Sequence, residues 1–214
     1  MTGKRLALGV MAVWLTLVGA KSSFAQAEDG IPELFESSFA YEATGNMDRA
    51  LNDVLQVLRK DTGNYIATLR TAWLYYRKAR HDESITYYKK ASTMRPKAIE
   101  PKLGLMLPLM AARQWAVAEK LGEELCLLAP HHYLAGSRLA FIYFSQGKYA
   151  KALKQYQQVL DAYPSELEMM LGQGWTYLRM GRKAEAKKMF DQVLRIRRSN
   201  LNARSGLEVL AATP

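Results

Sequence analysis

Cysteine is almost missing from this chain: Cys126 stands alone among 214 residues. That excludes an intramolecular disulfide and any Cys-based metal cluster. Histidine is scarce as well, with three in all, and glycine (14) and proline (7) are too few for a collagen-like or low-complexity chain. There is no glycine-rich phosphate loop and no strand-turn-helix setting that would prepare a serine nucleophile. What is present is ordinary for a globular protein: 49% apolar residues and 23% charged ones, in a length suited to one domain or two small ones. Thirty Lys+Arg against twenty Asp+Glu give a formal charge of +10, spread along the chain, which implies solubility before it implies a partner.

At the N-terminus Lys4 and Arg5 precede an apolar run from Leu6 to Ala20, followed by the small-residue stretch Ser22-Ser23-Phe24-Ala25-Gln26-Ala27. This layout predicts a secretory signal peptide over 1–27, cleaved before Gln26 or Glu28, with 28–30 as a short linker. The run is short for a membrane span, which needs about 20 residues. An uncleaved signal anchor is the alternative, and membrane attachment is expected only in that case. The expected location is therefore the periplasm or cell envelope.

From residue 31 the chain repeats with a period of 34. Aligned on Gly45, Gly147 and Gly181, it divides without gaps into 31–64, 65–98, 99–132, 133–166 and 167–200. In each unit apolar and small residues recur at three- and four-residue spacing in two stretches, parted by Gly, Ala or Arg at position fifteen, which predicts a helix pair. Position eight carries Ser38, Ala72, Met106, Ala140 and Gly174, and position twenty carries Ala50, Ser84, Ala118, Ala152 and Ala186. Small side chains there let helices approach closely. Larger residues stand at position eleven (Tyr41, Tyr75, Leu109, Tyr143, Tyr177) and at position twenty-four (Val54, Tyr88, Gly122, Tyr156, Phe190). Pro96, Pro130 and Pro164 close three units at position thirty-two, because proline cannot continue a helix.

This pattern resembles the tetratricopeptide repeat family over about 170 of the 214 residues. The resemblance implies an all-α fold, a right-handed α-solenoid of five tandem helix-turn-helix repeats, with 201–214 as a C-terminal capping helix and tail. The third unit departs from the pattern: Met106 replaces a small residue, Arg113 the turn glycine and Gly122 an aromatic, and Pro108 falls inside the first helix, where a local bend is expected.

In this family, the resemblance implies, the first helices line a concave groove through positions two, five, nine, twelve and thirteen. Those positions hold Phe35 and Phe39 in the first unit and Leu69, Trp73, Tyr76 and Arg77 in the second. The third unit places Leu103, Leu107 and Met110 there, the fourth Leu134, Phe141 and Phe144, and the fifth Leu171, Trp175, Leu178 and Arg179. Such an apolar, aromatic set marks a site for a protein or peptide segment with apolar anchors, with Arg77 and Arg179 meeting an acidic or main-chain group. The alternative is that these side chains are covered within the protein or by a second copy in a homo-oligomer. The Lys, Asn and Arg clamp with which some family members grip chaperone tails is absent, since Leu69 and Trp73 occupy the corresponding positions.

The function expected is a non-catalytic interaction scaffold or adaptor of an envelope or secretion complex, with no enzyme activity, no cofactor and no metal site. His81 stands at a helix turn of the second unit, the pair His131-His132 has no convergent carboxylate or thiol nearby in sequence, and Cys126 falls on an apolar helix face as a core residue. Basic stretches remain, with eight Lys/Arg and three acids over 77–102, and seven and two over 182–198. Export argues against nucleic acid as their partner. A second reading is therefore a structural envelope protein held to an anionic polysaccharide or membrane surface by a basic convex face.

Overall fold

A computed structural model describes residues 30–212, so the expected signal segment and the last two residues of the tail lie outside the described residues. Eleven helices are found among the described residues, and no strand. They are α1 (Ile31–Ala43), α2 (Met47–Lys60), α3 (Tyr65–Arg77), α4 (His81–Met94), α5 (Glu100–Ala111), α6 (Trp115–Leu128), α7 (Tyr133–Ser145), α8 (Tyr149–Ala162), α9 (Leu167–Arg179), α10 (Lys183–Ile196) and α11 (Leu201–Ala212). None is long and apolar enough to cross a membrane. The chain forms two compact units that divide after Ala67, inside α3. In the first, α1 packs on α2; in the second, every helix from α4 to α11 packs on the next, and α5, α7, α9 and α11 also meet in sequence.

One turn is used five times. Gly45, Ala79, Arg113, Gly147 and Gly181, each 34 residues from the next, all have φ between 55° and 79°. This left-handed residue lets the chain reverse within a few residues, and the next residue's N–H then reaches back five positions to cap the first helix. The five bonds are Asn46 to Tyr41, Arg80 to Tyr75, Gln114 to Leu109, Lys148 to Tyr143 and Arg182 to Tyr177, all 2.8–2.9 Å. Glycine adopts that φ without cost, whereas Ala79 and Arg113 carry a Cβ that disfavours it. Helix starts are set by side chains where the sequence supplies them: Asn46, Asn64 and Asn200 each accept a backbone N–H three residues on.

Helices of a pair cross at positions eight and twenty, and two serines mark the crossing. Ser38 donates to the Ala50 carbonyl at 2.7 Å in the first pair, and Ser84 donates to the Ala72 carbonyl at 2.8 Å in the second. Each hydroxyl is thus satisfied by the helix it faces, so the close approach leaves no buried orphan.

The core of the second unit is built from rings seated between small residues. Tyr88 lies against Gly104, Tyr156 against Gly172, and Phe190 between Gly174 and Gly206; a Cβ at any of these glycines would penetrate the ring. In chain terms, a ring at position twenty-four is flanked by a small residue at position eight of its own repeat and a glycine at position six of the next. The third repeat inverts every size in this triad. Met106, Gly122 and Arg138 stand where the following repeat has Ala140, Tyr156 and Gly172. A Cβ added to Gly122 would come within 3.0 Å of Leu139 Cδ1 and 3.1 Å of Met106 Cε, so the methionine fills the space that a ring holds elsewhere. Met106 is fully buried. The three departures seen in sequence are therefore one compensated exchange.

Arg138 crosses this region to donate from Nη1 to the Leu103 carbonyl at 2.6 Å. Burial pushes its guanidinium below the usual arginine range, against the opposing influence of Tyr88 and Tyr76. At the site of the expected bend, α5 continues through Pro108 as helix and ends three residues later, with the proline buried.

Candidate groove along the first helices

The apolar residues anticipated at groove positions meet, in the second unit, around three cavities that share walls. One, of about 570 Å³, is lined by Tyr76, Leu107, Met110, Arg113, Trp115, Phe141 and Ser145 among others. A deeper one of about 230 Å³ follows, reached between Phe141, Phe144 and Trp175 and floored by Tyr156 and Gly172, with Ser137, Glu168 and Asn202 as its polar lining. The third, of about 840 Å³, is bounded by Phe144, Ser145, Tyr149, Trp175, Leu178, Arg179 and Val209. Phe141 belongs to the first two and Trp175 to the last two, so they form one continuous apolar trough along α5, α7 and α9.

The anchors are held by specific contacts. Trp175 Nε1 donates to Asn202 Oδ1 at 2.8 Å, and its ring meets Phe190 edge-on at 5.3 Å between centroids. Phe141 meets Trp115 edge-on at 6.4 Å, and Phe144 lies 5.9 Å from Tyr149. The Tyr149 hydroxyl accepts from Arg179 Nε at 3.3 Å, which fixes that guanidinium at the rim and raises its affinity for its proton. Toward the other end Trp73 and Tyr76 lie 5.7 Å apart, with the Arg77 guanidinium 5.5 Å from the Trp73 ring centre.

Some anticipated residues stand elsewhere. Leu171 is only 2% exposed and packs with Ala186, Phe190, Val193 and Ala203. Leu171 thus belongs to the core where α11 packs on α9, and it also forms part of the wall of the cavity of about 230 Å³. Leu69 and Leu103 are half-buried against the α3–α7 core. Leu134 is exposed at the start of α7, and Phe35 and Phe39 lie a turn apart on α1, in the first compact unit, with Phe39 exposed. Trp115 and Tyr149 were not anticipated. Both stand at position seventeen, the first residue of a second helix, where His81 also stacks 6.0 Å from Tyr76. A ring at that position in three successive repeats was the available signal.

The polar groups of this region offer little reactive chemistry. Cys126 is half-buried between two parts of the core, and burial pushes its thiol up, away from the reactive thiolate. Among the described residues no group of three His, Cys, Asp or Glu side chains is placed to hold a metal ion. Acidic side chains collect instead on the outer surface. There Glu119 accepts from Gln146 at 2.7 Å and pairs with Lys148, while Lys151 lies 3.5 Å from Glu123.

Two family models, each described as Tetratricopeptide repeat, match residues 132–199 and 40–99. The chain belongs to the tetratricopeptide repeat family. No curated protein matches it in sequence. Among solved structures, it is similar to a tetratricopeptide repeat protein from Parabacteroides merdae, with 18% identity, TM-score 0.78, and coverage of 86% of this chain and 72% of that one. MamA from Desulfovibrio magneticus is similar at 18% identity and TM-score 0.74, over 81% of this chain and 98% of the other. YrrB, described as a TPR protein with an unusual peptide-binding site, is similar at 20% identity and TM-score 0.69, over 88% of this chain and all of that one. At these identities the likeness is one of fold: a tetratricopeptide solenoid of helix-turn-helix repeats.

Proposed function

We propose that this protein is a non-catalytic scaffold for protein–protein interaction, which lays an extended or helical partner segment along the trough of α5, α7 and α9. The observation that carries this reading is the continuity of the three cavities: large apolar side chains of a partner would enter at intervals, walled by Met110, Phe141, Phe144, Trp175 and Leu178. Arg113 and Arg179 at the rim suit carboxylates or main-chain carbonyls of the same segment. The peptide-binding site named for YrrB, on the same fold, supports a role of this class. The charged, apolar and small-residue order of residues 1–27 supports export to the cell envelope, where the scaffold would serve assembly of an envelope or secretion complex.

The test is selection of peptides from a random display library on the purified protein, followed by binding measurements on the Phe141→Asp and Val117→Asp variants. Both positions are about half exposed, so both variants fold, but only Phe141 lines the trough. Selected peptides are expected to carry spaced large apolar residues with Asp or Glu, and to lose about tenfold or more in affinity with Phe141→Asp alone. Peptides that bind both variants as well as the unaltered protein would refute the trough as the site.

A further inference from the structure

The four most exposed large apolar residues of the second unit are not in the trough. They are Leu127 (83% exposed), Leu201 (77%), Ile196 (63%) and Leu128 (59%), and all flank the loops that join one repeat to the next. Tyr163, also exposed, sits in the loop between α8 and α9. Its hydroxyl donates to the His131 carbonyl at 2.9 Å and its ring meets Tyr133 edge-on at 5.3 Å, so two adjacent loops form one edge of the stack.

Cations without acidic partners are interleaved with these side chains. Arg195, Arg197 and Arg198 form no ion pair among the described residues, and Arg204 gives its Nη2 to the Arg198 carbonyl at 2.7 Å. The basic helices elsewhere are partly neutralised by comparison, with Arg182 paired to Glu185 and Lys187 to Asp191. The stretch from Arg195 to Leu201 therefore reads cation, aliphatic, cation, cation, turn, aliphatic, with no acid.

We infer that this loop edge docks on an anionic lipid surface, the arginines at the headgroups and Ile196, Leu201, Leu127 and Leu128 entering the acyl boundary. Arginines alone would suit any polyanion, but exposed aliphatic side chains gain only where there is hydrocarbon to enter. A polysaccharide or nucleic acid offers them none. Each cation near such a surface adds about fivefold to binding, and the aliphatic side chains add a component that salt does not screen. This contact is a peripheral one, on a face separate from the trough, and it needs no membrane-spanning segment.

The experiment is co-sedimentation of the full-length protein with phosphatidylcholine vesicles, with and without about one-third phosphatidylglycerol, reading the affinity for each. The apolar run Leu6–Ala20 and the flanking Lys4, Arg5 and Lys21, where retained, contribute alike to the unaltered protein and to every variant, so the comparison is between variants on the same vesicles. The Ile196→Ser/Leu201→Ser and Arg197→Gln/Arg198→Gln variants are each expected to lower affinity for the anionic vesicles by about tenfold or more, the arginine pair also lowering the preference for them, with helical circular dichroism unchanged. Leu127→Ser/Leu128→Ser serves as a second aliphatic pair should the first disturb α11. The inference is overturned if the protein shows no preference for anionic vesicles, if neither pair lowers its affinity for them, or if the arginine pair abolishes that affinity while both aliphatic pairs leave it intact. That last outcome would make the edge a purely electrostatic polyanion site.

Discussion

Restoring the usual sizes in the third repeat tests whether Met106, Gly122 and Arg138 are one packing unit. Met106→Ala removes a fully buried side chain and is expected to cost about 2–5 kcal/mol. Gly122→Tyr alone drives a ring into Met106 and Leu139, whose atoms already stand 3.0–3.1 Å from where its Cβ would be, at a cost of about 1–3 kcal/mol. Arg138→Gly loses the bond to the Leu103 carbonyl and puts glycine inside α7, for about 1–2 kcal/mol. Independent effects would add to at least about 4 kcal/mol in the triple variant. The triple variant instead recreates the Ala, Tyr, Gly arrangement of Ala140, Tyr156 and Gly172, with the ring filling the cavity and the glycine admitting it. It is expected to lie within about 2 kcal/mol of the unaltered protein, a favourable coupling of about 2 kcal/mol or more. Urea unfolding followed by far-ultraviolet circular dichroism measures each variant. A triple variant as unstable as the sum of the single ones would refute the exchange.

Two further outcomes follow from local geometry. Ala79→Gly relieves a left-handed Cβ and should stabilise by about 1 kcal/mol, while Gly147→Ala, in open space with φ 73°, should destabilise by about 1–2 kcal/mol through conformation alone; thermal unfolding reads both. Burial opposes the charged form of Glu119, yet the hydrogen bonds from Lys148 and Gln146 and the nearby Lys148 and Lys151 charges outweigh it and hold the carboxyl below the usual range. A depressed carboxylate stabilises above its unfolded pKa, and that contribution is lost as pH falls through its folded value. Glu119→Gln should therefore weaken the protein at neutral pH, with the difference shrinking below about pH 4; a difference constant from neutral to acid pH would refute the assignment.

Much of this molecule was legible before any coordinate. The 34-residue period, the small residues at positions eight and twenty and the proline terminators depend on local spacing alone, and spacing determines helix, turn and helix. The turn at position fifteen was legible even where Ala79 and Arg113 replace glycine, because the period locates it and the flanking helices impose the left-handed residue. Trough residues on α5, α7 and α9 were largely legible for the same reason, since one face of each first helix recurs in register.

Tertiary structure decided what depends on neighbours across repeats. Leu171 stands at a groove position but is almost wholly buried where α11 packs on α9, and it meets the trough only in the wall of its cavity of about 230 Å³. Trp115 and Tyr149 enter the trough from the second helices, whose phase alone does not reveal which first helix they meet. Met106, Gly122 and Arg138 read as three separate departures along the chain, and only side-chain packing between repeats joins them into one exchange. Sequence by itself determined the periodic fold, because periodicity is a property of a single chain segment. Exposure, size compensation and the composition of each surface belong to contacts between segments, and those exist only once the helices have packed.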